Sequence, residues 1–109
     1  MSSISEGAPV LTVINVFSVA PERQSELVEL LERATREVVR HQPGFVSANL
    51  HVGLDGDRVA NYAQWASEED YARMLADPVC REHLAAAGAL AEVAPARYRV
   101  ASVHMRPGI

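Results

Sequence analysis

A chain of 109 residues has room for one domain, and its 49% hydrophobic and 22% charged residues are the composition of an ordinary globular protein. The formal net charge is only −4, and no cluster of arginines could neutralise a phosphate backbone, which argues against a nucleic acid partner. The single cysteine, Cys80, excludes an intramolecular disulfide. With neither a leader nor a membrane-length apolar segment, we expect a cytoplasmic protein without membrane attachment.

The start of the chain predicts a flexible end and then a strand. Residues 1–9 are mostly small and polar, and we expect them to be flexible ahead of a domain that spans 10–109. The segment from Val10 to Val19 is rich in β-branched and aromatic residues at the length of a strand. Both of its faces are mostly apolar, so we expect a partner subunit's sheet to cover the face that the helices leave open.

A helix and a second strand follow. Pro21 suits the first position of a helix, and apolar residues recur at helical spacing as far as Val38. The helix ends at Gln42-Pro43-Gly44, because proline cannot continue the hydrogen-bond ladder and glycine permits the reversal. A strand is predicted from Phe45 to Val52.

The next segment predicts a hairpin and a short helix. Residues 53–57 have turn chemistry between two strand-like runs, so we expect a third strand from Arg58 to Ala66. Ser67, followed three places on by Asp70, forms an N-cap pattern that opens a short helix.

The last third of the chain completes the topology. Asp77-Pro78 opens a second, alanine-rich helix from Val79 to Ala91, and Ala94-Pro95 is expected to close it. A last strand is predicted from Tyr98 to Met105. The order is β-α-β-β-α-β with a divided second helix, which indicates an α+β, ferredoxin-like fold.

The third strand carries the residues most suited to a binding site. Strand alternation places Asn61, Ala63 and Trp65 on one face, with Asn61 and Trp65 about 13 Å apart along the strand. This leaves a shallow slot of a length suited to a flat fused-ring molecule. Tyr71, one helical turn after Ser67, could bring a phenol over the slot. In the alternative interpretation, Trp65 is a core residue, Asn61 is a hydrogen-bonded strand end, and Tyr71 only packs its helix.

These residues also carry a resemblance to a known family. The run from Arg58 to Trp65, with Asp55-Gly56 before it and Ser67-Glu68 and Tyr71 after it, resembles the antibiotic biosynthesis monooxygenase superfamily. Within that superfamily, it is most similar to the quinone-forming monooxygenases of aromatic polyketide pathways, of the actinorhodin type. The likeness extends over nearly the whole chain and is dense only between Asp55 and Tyr71.

The resemblance implies a homodimer whose two sheets pack into an α/β barrel, with a pocket in each subunit between sheet and helices. It also implies that molecular oxygen oxidises a phenolic, anthrone-like substrate to a quinone without a flavin, haem or metal cofactor. An activated phenol forms an electron-rich anion that can itself reduce oxygen. The protein then has to bind, orient and stabilise charge.

The resemblance also implies roles for individual residues. Asn61 would hydrogen-bond a substrate carbonyl or a peroxy intermediate, Trp65 would line the ring slot and assist oxygenation, and Tyr71 would bond a substrate oxygen. The family shows a basic residue in its last helix, an arginine in the actinorhodin type, and the aligned stretch of this sequence reads Glu82-His83-Leu84. His83 could take an acid/base role there, or it could be a solvated or capping histidine. We expect three further residues to contact the substrate: Asn15, Ala63 and His83.

Several alternatives remain open at this point. The same fold hosts haem-degrading enzymes, which need a first-strand asparagine such as Asn15 and an iron-ligating histidine, but residues 72–76, where that ligand should fall, contain none. Asn15 could instead be a polar residue satisfied at the barrel seam. The four histidines show no metal-ligand spacing, and Cys80 is interpreted as a packing residue. A non-oxidative polyketide-binding protein or cyclase could use the same slot.

Overall fold

The computed structural model describes Ile4 and residues 10–108. The predicted flexibility of residues 1–9 therefore concerns, apart from Ile4, residues outside the described part of the chain. None of the described helices is long and apolar enough to cross a membrane. The helices and strands of the described chain are β1 (Leu11–Val19), α1 (Gln24–Glu37), β2 (Phe45–Val52), β3 (Arg58–Trp65), α2 (Glu68–Ala76), α3 (Pro78–Leu90) and β4 (Ala91–Tyr98).

The strands form one antiparallel sheet in the order β2-β3-β1-β4. This is the α+β, ferredoxin-like arrangement that the order of predicted elements indicated. Short 3-10 turns at Pro21–Arg23 and Val39–His41 flank α1, so the helical region predicted from Pro21 to Gln42 is divided rather than continuous.

The hydrophobic core consists of two clusters, one toward each end of the central strands. Around Trp65, a first cluster joins residues of β1 and β3 to residues of α2 and α3. Around Phe17, a second cluster joins the other ends of β1 and β3 to α1. Asn15 on β1 and Asn61 on β3 belong to neither cluster and lie between them. On the helix-facing side of the sheet, these two asparagines therefore occupy the middle.

Local capping interactions fix the start of both C-terminal helices. Ser67 Oγ accepts a hydrogen bond from the backbone N–H of Asp70 at 3.1 Å, which confirms the predicted N-cap of α2. The Asp77 carboxylate accepts one from the N–H of Cys80 at 3.0 Å, with Pro78 at the first helical position of α3. Tyr71 on α2 is thereby held just beyond the end of β3.

Gly44, which directly precedes β2, packs against the start of α2. Its φ of +83° lies in the left-handed region, and a Cβ at this position would collide with the side chain of Asp70. The carbonyl of Gly44 also accepts a hydrogen bond from the N–H of Ala66 at 2.7 Å. Glycine is thus required here both for the backbone conformation and for the close approach of α2.

The position predicted for the last strand was wrong. The strand runs over Ala91–Tyr98 directly after α3, whereas the sequence indicated Tyr98 to Met105 after a helix closed by Ala94-Pro95. Pro95 is accommodated because β4 is an edge strand and needs to pair only with β1. The strand stops at Tyr98, which pairs with Thr12 near the first residue of β1, so little of β1 remains for a longer strand to pair with.

The face of the sheet opposite the helices carries an apolar patch, which we call the outer patch. Strand register brings its residues together around the middle of β1, and Val16 in the centre is 37% exposed. The outer patch consists of Ile14, Val16, Ala60, Tyr62, Ala94 and Ala96.

Candidate active site

A cavity of about 70 Å³, which we call the inner cavity, lies between the sheet and the helices. It occupies the middle of the sheet, in the region between the two core clusters. Its walls are mostly apolar side chains from β1, β3 and all three helices. All six residues that we expected in a site line this cavity: Asn15, Asn61, Ala63, Trp65, Tyr71 and His83.

Two carboxamides face the inner cavity from neighbouring strands. Asn15 and Asn61 are direct partners in the register of β1 and β3. Neither side chain forms a hydrogen bond with a described residue, and the Oδ1 atom of each is shielded from solvent. A buried acceptor without a partner destabilises a protein by about 1–3 kcal/mol, so such groups call for an explanation. Asn15 and Asn61 offer hydrogen bonds to a molecule that enters the cavity.

Aromatic rings enclose one end of the inner cavity. Trp65 is 2% exposed, and its ring meets the edge of Phe45 at 5.4 Å between centroids and 89° between planes. The ring of Tyr71 lies 5.9 Å from that of Trp65 at 56°. Phe45, which our sequence reasoning left out of the site, thus holds the indole from the side of β2.

Tyr71 also contacts a cation on β4. The guanidinium of Arg97 lies 5.2 Å from the centre of the Tyr71 ring. Burial raises the pKa of the Tyr71 phenol above its ordinary value, while the nearby charge of Arg97 acts in the opposite direction. Tyr71 is therefore a neutral phenol at physiological pH and can donate a hydrogen bond from its O–H group.

Sequence reasoning missed Arg97 altogether. The signal was the alternation of Val93, Pro95 and Arg97, which share the helix-facing side of β4. The alternation places these three side chains on one face only if residues 91–98 form the strand, as they do in the structure.

A second cavity, which we call the outer cavity, adjoins the first and measures about 380 Å³. It shares five lining residues with the inner cavity and extends across β1 to β4. Ligand sites usually measure about 300–1,000 Å³, so the inner cavity alone is too small for a fused-ring molecule, whereas the outer cavity is not. The shared lining residues are Asn15, Phe17, Tyr71, Leu75 and Leu84.

The remaining candidates for chemistry take different positions. His83 on α3 lines the inner cavity, is half-buried and forms no side-chain hydrogen bond with the described residues. Cys80 is fully buried, and its burial raises the pKa of the thiol to about 11, which fits a packing residue rather than a nucleophile. Within the described part of the chain, no three His, Cys, Asp or Glu residues lie together as metal ligands would.

Comparisons with known proteins agree with this geometry. The profile of the family "Antibiotic biosynthesis monooxygenase" matches residues 10–86. The tetracenomycin-F1 monooxygenase of Streptomyces glaucescens is 49% identical over 83 residues, which cover 76% of this chain and 74% of that protein.

Solved structures show the same relationship. SnoaB, a cofactor-independent oxygenase from Streptomyces nogalater, is 25% identical with a TM-score of 0.75, covering 94% of this chain and all of that one. The ActVA-Orf6 monooxygenase of Streptomyces coelicolor, solved with nanaomycin D, is 34% identical with a TM-score of 0.71, covering 87% and 92%. The present chain therefore belongs to the antibiotic biosynthesis monooxygenase family and is a monooxygenase.

Proposed function

We propose that this monooxygenase oxidises a fused-ring phenol or anthrone-type polyketide to a quinone with molecular oxygen and without a cofactor. The observation that carries the proposal is the pair of unpaired amide oxygens, of Asn15 and Asn61, inside an otherwise largely apolar cavity. A flat aromatic molecule with a phenolic O–H group matches both the apolar walls and the buried acceptors. The polyketide compounds in the names of two relatives, tetracenomycin F1 and nanaomycin D, support the same substrate class.

The chemistry balances without a further reductant. The phenol loses its proton, and a ring carbon of the resulting anion transfers electrons to oxygen and forms a C–O bond to it. The same carbon then loses its hydrogen as a proton while the O–O bond breaks. One oxygen atom remains as the new carbonyl and the other leaves as water. The substrate supplies all the electrons, which is why we propose that no flavin, haem or metal takes part.

Each of the six residues that we expected in the site has a role in this proposal. Asn61 donates a hydrogen bond from Nδ2 to a substrate carbonyl or the peroxy intermediate and accepts one at Oδ1 from a phenolic O–H group. Asn15 holds a second substrate oxygen from the opposite strand. Trp65 forms the wall of the ring slot and assists oxygenation, and the small side chain of Ala63 leaves space for the ring. Tyr71 donates a hydrogen bond to a substrate oxygen. His83 contacts the substrate from α3.

We also propose that the enzyme is a homodimer in which the outer patch faces its counterpart. The support is the apolar character of that face, which a single copy leaves partly exposed at Val16.

The proposed reaction can be tested with dithranol, a model anthrone. Metal-stripped enzyme is incubated with dithranol in air and under nitrogen, and quinone formation is followed by absorbance. We expect acceleration over the uncatalysed reaction in air only, and one labelled atom per quinone when ¹⁸O₂ replaces air. Binding of dithranol without any acceleration in air would contradict the proposal and indicate a binding protein or cyclase instead.

The variant Asn61→Ala tests the role of the carboxamide. We expect kcat to fall by about 100-fold, the size of effect seen when one hydrogen bond to a developing oxyanion is removed. Asn49→Ala is the matched control: Asn49 lies on β2 on the other face of the sheet, where its Nδ2 donates to the Tyr62 carbonyl at 3.1 Å. Equal losses in both variants, or unchanged turnover in Asn61→Ala, would remove Asn61 from the site.

A further inference from the structure

Arg97 stands apart electrostatically from every other residue of the two cavities. Among the described residues that line them, it is the only arginine, lysine, aspartate or glutamate. It forms none of the salt bridges found between described residues. A guanidinium presents several N–H donors in a planar fork that matches carboxylate and phenolate oxygens. A free cation at the side of a mostly apolar cavity is suited to an anionic group on the ligand.

The guanidinium of Arg97 contacts the ring of Tyr71. The Tyr71 ring lies 5.9 Å from the Trp65 ring and 5.2 Å from the Arg97 guanidinium. Arg97 is exposed, and attraction between the cation and the ring face favours a position of the guanidinium beside the outer cavity. This preference for the cavity side reduces the side-chain entropy that the donor fork loses when a ligand binds.

The sheet sets the distance between Arg97 and the two carboxamides. Asn61 pairs with Asn15, Asn15 pairs with Pro95, and Arg97 lies two residues further along β4. Two strand spacings and two residues of rise separate the backbones of Asn61 and Arg97 by about 12 Å. The inner and outer cavities connect these points along a shared wall. A molecule of several fused rings can therefore reach both ends.

We propose that Arg97 binds an acidic oxygen of the substrate, an aryl carboxylate or an ionised phenol, in the outer cavity while the ring to be oxidised lies at Asn15 and Asn61 in the inner cavity. This inference rests on the proposed function and narrows its substrate class to acidic aromatic polyketides.

The inference can be tested by binding of two anthraquinones that differ in one group. Rhein carries a carboxylate that danthron, 1,8-dihydroxyanthraquinone, lacks. Dissociation constants are measured from quenching of Trp65 fluorescence, at a pH below and a pH above the first phenol pKa. The variants are Arg97→Gln, Arg97→Lys and the control Arg33→Gln, which removes a charge on the exposed side of α1.

If Arg97 binds a carboxylate, Arg97→Gln should raise the dissociation constant of rhein by about tenfold or more and that of danthron by less than about twofold. If Arg97 binds an ionised phenol, the variant should also raise the dissociation constant of danthron by about tenfold or more, but only at the higher pH. In either case Arg97→Lys should restore part of the affinity, and Arg33→Gln should leave it unchanged.

The inference is overturned if Arg97→Gln changes neither affinity by more than about twofold at either pH, or if neither compound quenches Trp65 in the wild-type enzyme. Dithranol turnover by the wild-type enzyme is measured in parallel. Intact turnover without dependence of binding on Arg97 rejects this inference alone. Binding that depends on Arg97 without turnover supports an anion site and rejects the oxidation.

Discussion

Tyr71 illustrates how one residue links the site to the stability of the fold. Burial raises the pKa of its phenol above the unfolded value of about 10, so the folded state holds this proton more tightly than the unfolded chain does. The corresponding stabilisation is complete below about pH 10 and is lost as the pH rises through the folded-state pKa. At physiological pH the residue is a hydrogen-bond donor and carries no charge.

The variant Tyr71→Phe tests this assignment. The wild-type enzyme should lose free energy of unfolding as the pH rises above about 10, and the variant should lose less, because the group with the raised pKa is absent. Urea unfolding followed by circular dichroism at several pH values in this range measures the difference. Tyr98→Phe is the control, since Tyr98 is 48% exposed. Identical pH profiles for wild type and Tyr71→Phe would contradict the assignment.

At the scale of elements, features set by short-range chemistry could be predicted from the sequence. Ser67 and Asp77 cap their helices as expected, and the alternation along β3 correctly placed Asn61, Ala63 and Trp65 on one face. Each of these depends on residues a few positions apart.

Features that depend on distant pairing could not be predicted. β4 begins with residues that rarely occur in strands, and it forms because they pair with β1. These residues are Ala91, Glu92 and Ala94. Because β4 was misplaced, neither the role of Arg97 nor the existence of the outer cavity could be inferred. The single slot expected between Asn61 and Trp65 is in fact two adjoining cavities that extend across β1.

The junction between β2 and α2 gives a prediction at this scale. Gly44→Ala introduces a Cβ with positive φ that also collides with Asp70, whose carboxylate accepts a hydrogen bond from Ser67 Oγ. The backbone conformation alone costs about 1–2 kcal/mol and the displacement of packed atoms about 1–3 more. We therefore expect the free energy of unfolding to fall by about 3 kcal/mol or more.

Gly56→Ala provides the matched control. Gly56 also has a positive φ, of +88°, but a Cβ there meets no atom within 4 Å. Its substitution should cost only the backbone contribution of about 1–2 kcal/mol. Urea unfolding of both variants measures the two values, and equal losses would show that contact with Asp70 does not matter.

At the scale of the whole molecule, the proposed homodimer depends on the outer patch. Val16 lies at its centre, and the partners of Val16 and Ile14 in the neighbouring strands are Ala60, Tyr62, Ala94 and Ala96. A charge placed there would lose its hydration if a second copy covered the patch.

The variant Val16→Asp tests the proposed homodimer. Wild-type enzyme should have the mass of two chains in size-exclusion chromatography with light scattering, and the variant should have the mass of one. Val79→Asp is the matched control, because Val79 is 48% exposed near the start of α3. A wild-type enzyme with the mass of one chain, or a Val16→Asp variant that keeps the mass of two chains, would reject the outer patch as the interface.

The two edge strands of the sheet, β2 and β4, affect whether the protein can aggregate into fibres. An exposed strand edge can pair with the edge of another molecule and so extend a sheet without limit. In β4, Pro95 has no N–H group to offer such a neighbour, and in β2 the pairing register shifts between Phe45 and Ser47, which breaks the regular edge. Both edges of the sheet thus disfavour growth of a continuous sheet by edge-to-edge pairing between molecules.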